Sequence, residues 1–176
     1  MHLLTISGSL QDVSSNGTLL DAVATAGGLA VDDVVTRSVS IGDIPHFRPD
    51  RTDPVDAVER FRAQLAAADA VVVATPEYAH SLPGSLKNAL DWLVGTGELY
   101  GKPVAVTCAA NSVQRGGLGR AALEQTLRAQ GAVIVDSRSI IREEVTDQVD
   151  QLLASLRTAV VVAAAKAVAD GLTGGG

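Results

Sequence analysis

A chain of 176 residues has room for one domain and a tail, and 47% hydrophobic residues are enough for one sizeable core. A formal net charge of −6 and a pI near 4.9 argue against a nucleic-acid surface, which needs clustered Lys and Arg. The single cysteine, Cys108, excludes an intramolecular disulfide, and neither a cysteine-based metal site nor any other metal is expected.

His2 to Ile6 reads as a first strand; it lacks the basic flank of a secretory signal, so the expected compartment is the cytoplasm. Ser7 to Asn16 is a hydroxyl-rich loop. Leu19, Leu20, Ala22, Val23 and Ala26 follow at helical spacing, with Gly27-Gly28 as the stop. Asp33 to Val39 is a weaker strand, and Gly42 to Asp53 is a loop. Asp53-Pro54 predicts a helix start with Pro54 as its first residue. Val55, Val58, Phe61, Leu65 and Ala68 then form one apolar face.

Ala70 to Ala74 is wholly apolar, as expected of a parallel strand buried on both faces. It breaks at Thr75-Pro76, because proline cannot donate to a ladder and restricts the residue before it. The polar loop ends at Pro83-Gly84, and a helix is predicted from Ser85 to Leu93. Gly101-Lys102 leads into a buried strand, Pro103 to Cys108, with proline at the tolerated first position. A loop from Ala109 to Gly117, a helix from Leu118 to Gln130, a short strand from Ala132 to Val135 and a long helix from Thr146 to Val168 complete the chain. Thr146 or Asp147 is the expected cap of that last helix. Its most apolar part, Ala159 to Ala165, is shorter than a membrane span, so no membrane association is expected. Residues 1–170 form one predicted domain, and 171–176 a flexible glycine-rich tail.

This alternation predicts an α/β fold of the flavodoxin-like, doubly wound kind, with five parallel strands in the order 2-1-3-4-5 and helices on both faces. Its switch point lies between strands one and three, where the first two polar loops meet. Ser9, Ser14, Ser15 and Asn16 place hydroxyls and backbone N–H groups at a helix amino end, which suits a phosphate. The plainer reading has one of Ser14, Ser15 and Asn16 simply capping the helix. Neither a Gly-Lys-Ser/Thr phosphate loop nor a dinucleotide G-x-G-x-x-G is present.

The chain also carries Thr75-Pro76-Glu77-Tyr78-x-x-Ser81-x-Pro83-Gly84-x-Leu86-Lys87-Asn88-Ala89-Leu90-Asp91-Trp92, together with Gly8-Ser9-Leu10 and Gly101-Lys102-Pro103-Val104. In these it resembles the NADPH-dependent FMN reductase family, flavodoxin-like enzymes that include quinone, chromate and azo-dye reductases. The resemblance implies FMN as cofactor and NADPH or NADH as hydride donor. A free flavin, a quinone or another small molecule would be the acceptor, in a homodimer or homotetramer. It places Ser9, Ser14 and Asn16 on the FMN phosphate. Pro76, Glu77, Tyr78, Ala79 and His80, with Ser81 in the same loop, line the flavin rings, and Ala110 and Asn111 close their other edge. No side chain is needed as acid or base, because the flavin carries the chemistry.

Two departures stand out. The family's first-loop arginine is Gln11 here, which predicts weaker FMN binding. The usual Asn-Tyr after Glu-Tyr is Ala79-His80. His80 faces either substrate or solvent. His46 and Phe47 form a cover over the flavin or a surface turn, and Trp92 a packing or subunit contact rather than a flavin stacker. Cys108 reads as a small buried hydrophobe. Arg115 and Arg120 are either ligands of a nicotinamide 2′-phosphate or solvated charges. Glu143-Glu144 has no metal-ligand spacing. The rival functions are a flavodoxin-type electron carrier and a binding protein on a degenerate flavin fold.

Overall fold

The three central strands of the sheet alternate their side chains between two apolar layers, and this sets the architecture. In the computed structural model, which describes residues 1–51, 53–141 and 144–173, five parallel strands run in the order β2-β1-β3-β4-β5. They are β1 (His2–Ser7), β2 (Val34–Arg37), β3 (Ala70–Ala74), β4 (Pro103–Ala110) and β5 (Val133–Ile141). The helices are α1 (Ser15–Ala24), α2 (Asp56–Ala67), α3 (Gly84–Asp91), α4 (Gly117–Ala129) and α5 (Val145–Thr173). The order is the one predicted.

Leu4, Ile6, Val71, Val73, Val104 and Val106 point to one layer, where they meet Phe61 and Leu65 of α2, Leu86 and Leu90 of α3, and Leu123 and Leu127 of α4. Leu3, Ala70, Val72 and Ala105 point to the other, against Leu19, Leu20 and Val23 of α1 and Val149, Leu152, Leu153 and Leu156 of α5. This two-sided burial is the reason the central strands read as unbroken apolar runs.

The boundaries depart from the sequence reading where a side chain or carbonyl intervenes. α1 ends at Thr25, before Gly27-Gly28. β2 is the short Val34–Arg37, and a 3₁₀ turn, Ile41–Asp43, interrupts the following loop. Pro54 is not the first residue of α2: Val55 is extended, with φ −124°, and its carbonyl accepts the Glu59 N–H at 2.9 Å. α2 ends on a cation, with Lys102 Nζ donating to the carbonyls of Leu65 (2.7 Å) and Ala68, a favourable placement at a helix carboxyl end.

β5 is nine residues long where a short apolar strand was expected. Its polar middle hides it, because Asp136 is buried and held bidentately by Arg138, two residues on and on the same face (2.8 and 2.6 Å). Thr146 and Asp147 lie inside the first turn of α5 and do not cap it. Gln148 Oε1 ties the helix to the end of β5 by accepting the Ile141 N–H at 2.8 Å.

α5 runs to Thr173, so residues 171–173 are helical where a flexible tail was expected; Glu143 and residues 174–176 lie outside the described residues. By length and composition Val145–Ala169 is long and apolar enough to cross a membrane. Its first half belongs to the core, through Val149, Leu152, Leu153 and Leu156.

Candidate functional site

Three loops leave the carboxyl ends of β1, β3 and β4 and meet around a crevice of about 820 Å³. The first two are drawn together at Gly8, whose N–H donates to the Ala74 carbonyl at 2.8 Å. A β-carbon there would stand 3.0 Å from Leu86 and 3.2 Å from the Ala74 carbonyl oxygen, so the close approach requires glycine. A larger hollow, about 1030 Å³, lies between the α3–β4 connection and α4, away from the strand ends.

All the residues predicted for the site line the crevice except Ala79 and Ser81. The reason is a tight turn. Tyr78 and Ser81 exchange both backbone hydrogen bonds at 3.0 Å, and the two central residues, Ala79 and His80, have φ of 49° and 61°. Positive φ at both positions marks a type I′ turn, which favours Asn and Gly. Tyr78 and His80 stay on the crevice side, while Ser81 lines the larger hollow. His80 is 81% exposed, with Nδ1 3.3 Å from Glu77 Oε1.

In the first loop the plain and the functional readings coexist. Ser14 caps α1 by accepting the Gly17 N–H at 2.9 Å, and Ser9 Oγ accepts the Gln11 N–H at 3.2 Å. Each hydroxyl thus spends its oxygen on the backbone and keeps its proton for an acceptor. Asn16 is buried and its Oδ1 accepts the Ala109 N–H at 2.8 Å, tying the first loop to β4. Only its Nδ2 is left for a ligand. This hydroxyl and amide donor set, beside the first turn of α1, fits a phosphate.

The third loop begins later than expected, since Ala109 and Ala110 still belong to β4. It is closed by a residue of the second loop, a role that the sequence reading missed. Glu77 Oε2 accepts the N–H groups of Leu118 (2.9 Å) and Gly119 (3.0 Å), capping α4 from outside. The signal was an absence: α4 opens on Gly116-Gly117, with no capping side chain of its own. The Gly119 N–H, with lesser help from His80 and Leu118, holds the Glu77 carboxyl below its ordinary range.

Cys108, Gln114, Arg115 and Gly116 also line the crevice. Cys108 is 2% exposed, as a small hydrophobe would be. Arg120 is held on β5 through the Ser137 hydroxyl at 2.8 Å and does not line the crevice. Nor do His46 and Phe47. Phe47 packs edge-on against Trp92 (5.3 Å), whose Nε1 donates to the Pro45 carbonyl at 2.8 Å. Asn88 accepts the Phe47 N–H at 2.8 Å and donates to the carbonyl of Pro45 at 3.0 Å. The Asn88 and Trp92 part of the motif therefore pins a loop, and Trp92 is a packing residue.

A parallel 2-1-3-4-5 sheet with a phosphate-fitting first loop, and a crevice at its switch point, defines the class of flavodoxin-like flavin proteins. Within that class the chain belongs to the NADPH-dependent FMN reductase family, whose model matches residues 1–147. It is 38% identical to an NAD(P)H-dependent FMN reductase of Pseudomonas aeruginosa, over 82% of this chain and 76% of that one. It is 31% identical to a quinone reductase of Escherichia coli, over 85% and 81%. In fold it is similar to the flavoenzyme NAD(P)H:(acceptor) oxidoreductase FerB of Paracoccus denitrificans (TM-score 0.74, 24% identity, 89% of this chain and 97% of that one). It is also similar to a Bacillus cereus flavodoxin (TM-score 0.61, 18% identity, 90% and 98%).

Proposed function

We propose that this protein is an FMN-dependent NAD(P)H oxidoreductase that delivers hydride to a free flavin, a quinone or another small acceptor. The observation that carries this reading is the convergence of three loops at the switch point, with the Ser9 and Ser14 hydroxyl protons free at the amino end of α1. Bound FMN supplies the hydride chemistry, and the protein supplies position and electrostatics.

In this reading Ser9, Ser14, Ser15 and Asn16 hold the phosphate, with Gln11 beside them. Pro76, Glu77, Tyr78 and His80 line one edge of the rings, and Ala110 and Asn111 the other. Asn16 and Glu77 also fasten the loops to one another, tying the three walls together. Ala79 and Ser81 shape the turn. Residues 1–170 act as one cytoplasmic unit in a homodimer or homotetramer. The exposed Tyr78, Val94, Tyr100 and Leu118 support this, since each would lose apolar surface to water-free contact.

The test is direct. Purified protein is mixed with FMN and NADPH or NADH, and nicotinamide absorbance is followed with added flavin or benzoquinone. Acceptor-dependent oxidation is expected. FMN binding without any nicotinamide oxidation would favour an electron carrier, and no FMN binding at all would remove the cofactor.

A further inference from the structure

β2 ends on Arg37, which is in register with Thr5 of β1, so its side chain leaves the sheet where the first loop turns into α1. Nη2 donates to the Gly17 carbonyl at 3.4 Å and to the Asp21 carboxylate. Nη1 lies 4.0 Å from the point where a β-carbon on Gly17 would stand, and Ser14 Oγ lies 3.1 Å from that same point. With glycine at 17, no side chain separates the guanidinium from the capping hydroxyl. The two flank a small hollow of about 230 Å³ that shares Ser9, Gln11 and Ser14 with the main crevice. Arg37 is the one cation among the described residues lining it, and Asp12 the one anion.

We infer that Arg37 is the cationic ligand of the FMN phosphate in this chain, supplying from the neighbouring strand the charge that Gln11 does not. The inference rests on the FMN reading above. A phosphate among hydroxyls, in a hollow that Asp12 also lines, gains from a positive group that offsets this carboxylate, and a guanidinium matches phosphate geometry in a bidentate fork. The bond to Asp21 does not compete strongly, because the Asp21 side chain is 73% exposed and surface ion pairs are weak. Gly17 keeps the gap between Arg37 and Ser14 open for the ligand.

The experiment compares FMN with riboflavin, which has the same rings and no phosphate, by quenching of flavin fluorescence. The proteins are wild type, Arg37→Ala, Arg37→Lys and Asp21→Asn. Arg37→Ala is expected to weaken FMN about 10–100-fold, the range of a charge-assisted hydrogen bond, and to leave riboflavin unchanged. Arg37→Lys should recover part of the loss. Asp21→Asn, which breaks the same ion pair from the other side, should bind FMN as well as wild type or better.

Equal losses for FMN and riboflavin, an Asp21→Asn loss as large as that of Arg37→Ala, or unchanged FMN affinity in Arg37→Ala would each overturn the inference. The first two would reduce Arg37 to a strut between β2 and α1. Wild-type protein that binds no FMN would overturn the cofactor reading along with it, whereas wild type that binds while Arg37→Ala binds equally would overturn this inference alone.

Discussion

Glu77, on the wall of the crevice, and Gly119 stand in close contact. A β-carbon on Gly119 would lie 3.0 Å from Glu77 Cβ and 3.1 Å from its Cα, and the Gly119 N–H donates to Glu77 Oε2 at 3.0 Å. The second loop is thereby seated on the amino end of α4, and the third loop between them is held at both ends.

Gly119→Ala is therefore expected to push the two loops apart. Overpacking of this kind costs about 1–3 kcal/mol, and FMN affinity should fall with it. Denaturant titration and flavin quenching on the same sample check both. Wild-type stability together with wild-type affinity would show that the contact is slack.

The same pair predicts a pH dependence. The Glu77 carboxyl lies below its ordinary value of 4.5, first because the Gly119 N–H stabilises the charged form. A depressed carboxylate contributes its stabilisation in full above the ordinary value and loses it as pH falls through the folded one. The Glu77 step in the Leu118 and Gly119 amide resonances should thus come only below about 4.5. In Glu77→Gln that step should be missing. A Glu77 step at or above 4.5 in wild type would contradict the capping geometry.

Ala79 occupies a left-handed position with a β-carbon, a conformation costing roughly 1–2 kcal/mol that Asn tolerates better. Ala79→Asn is expected to stabilise the protein by about 0.5–1 kcal/mol, read as a rise in the urea midpoint. A fall in that midpoint would mean that the turn relaxes in solution.

The Asp33 side chain is 2% exposed, with Arg157 Nη2 at 2.6 Å and the Met1 amino group at 3.0 Å. The Arg157 hydrogen bond is the main cause of its depressed pKa, ahead of the Ala30 N–H. Arg157→Ala should cost about 2 kcal/mol, less than the roughly 3–5 kcal/mol for a wholly buried pair, because Arg157 is 37% exposed and the amino group still pairs. Denaturant unfolding at neutral pH measures it. A change under about 0.5 kcal/mol, the scale of an ordinary surface substitution, would show that the pair is solvated.

Asn88→Ala should strand the Phe47 N–H, while the Pro45 carbonyl keeps its bond from Trp92, costing about 1 kcal/mol. It should also alter Trp92 emission, since Trp92 packs on the same loop. Unaltered emission would show that the loop is held without Asn88.

The sheet order was legible because Leu3, Leu4, Ile6 and Val71 to Val73 are apolar on both faces, which leaves little choice but a covered parallel sheet. The crevice was legible because polar loops follow those strands. β5 was less so, since Asp136 and Arg138 neutralise one another inside a strand that composition alone would end at Val135. The turn at Ala79-His80 was hidden for a related reason: neither residue type announces positive φ. The links from Asn16 to Ala109 and from Glu77 to Gly119 span 93 and 42 residues, and no local pattern records such a distance.

The long last helix settles where the molecule can be handled. α5 begins beside the crevice and, at 29 residues, extends about 43 Å, while the nine-residue β5 spans only about 30 Å. By Arg157 it has already reached Gly28 and Asp33, at the opposite rim of the sheet, and beyond that Val161, Val162 and Val168 are exposed. A dye, bead or fusion partner joined after Thr173 therefore hangs from the far pole, leaving the crevice open for measurements on immobilised protein.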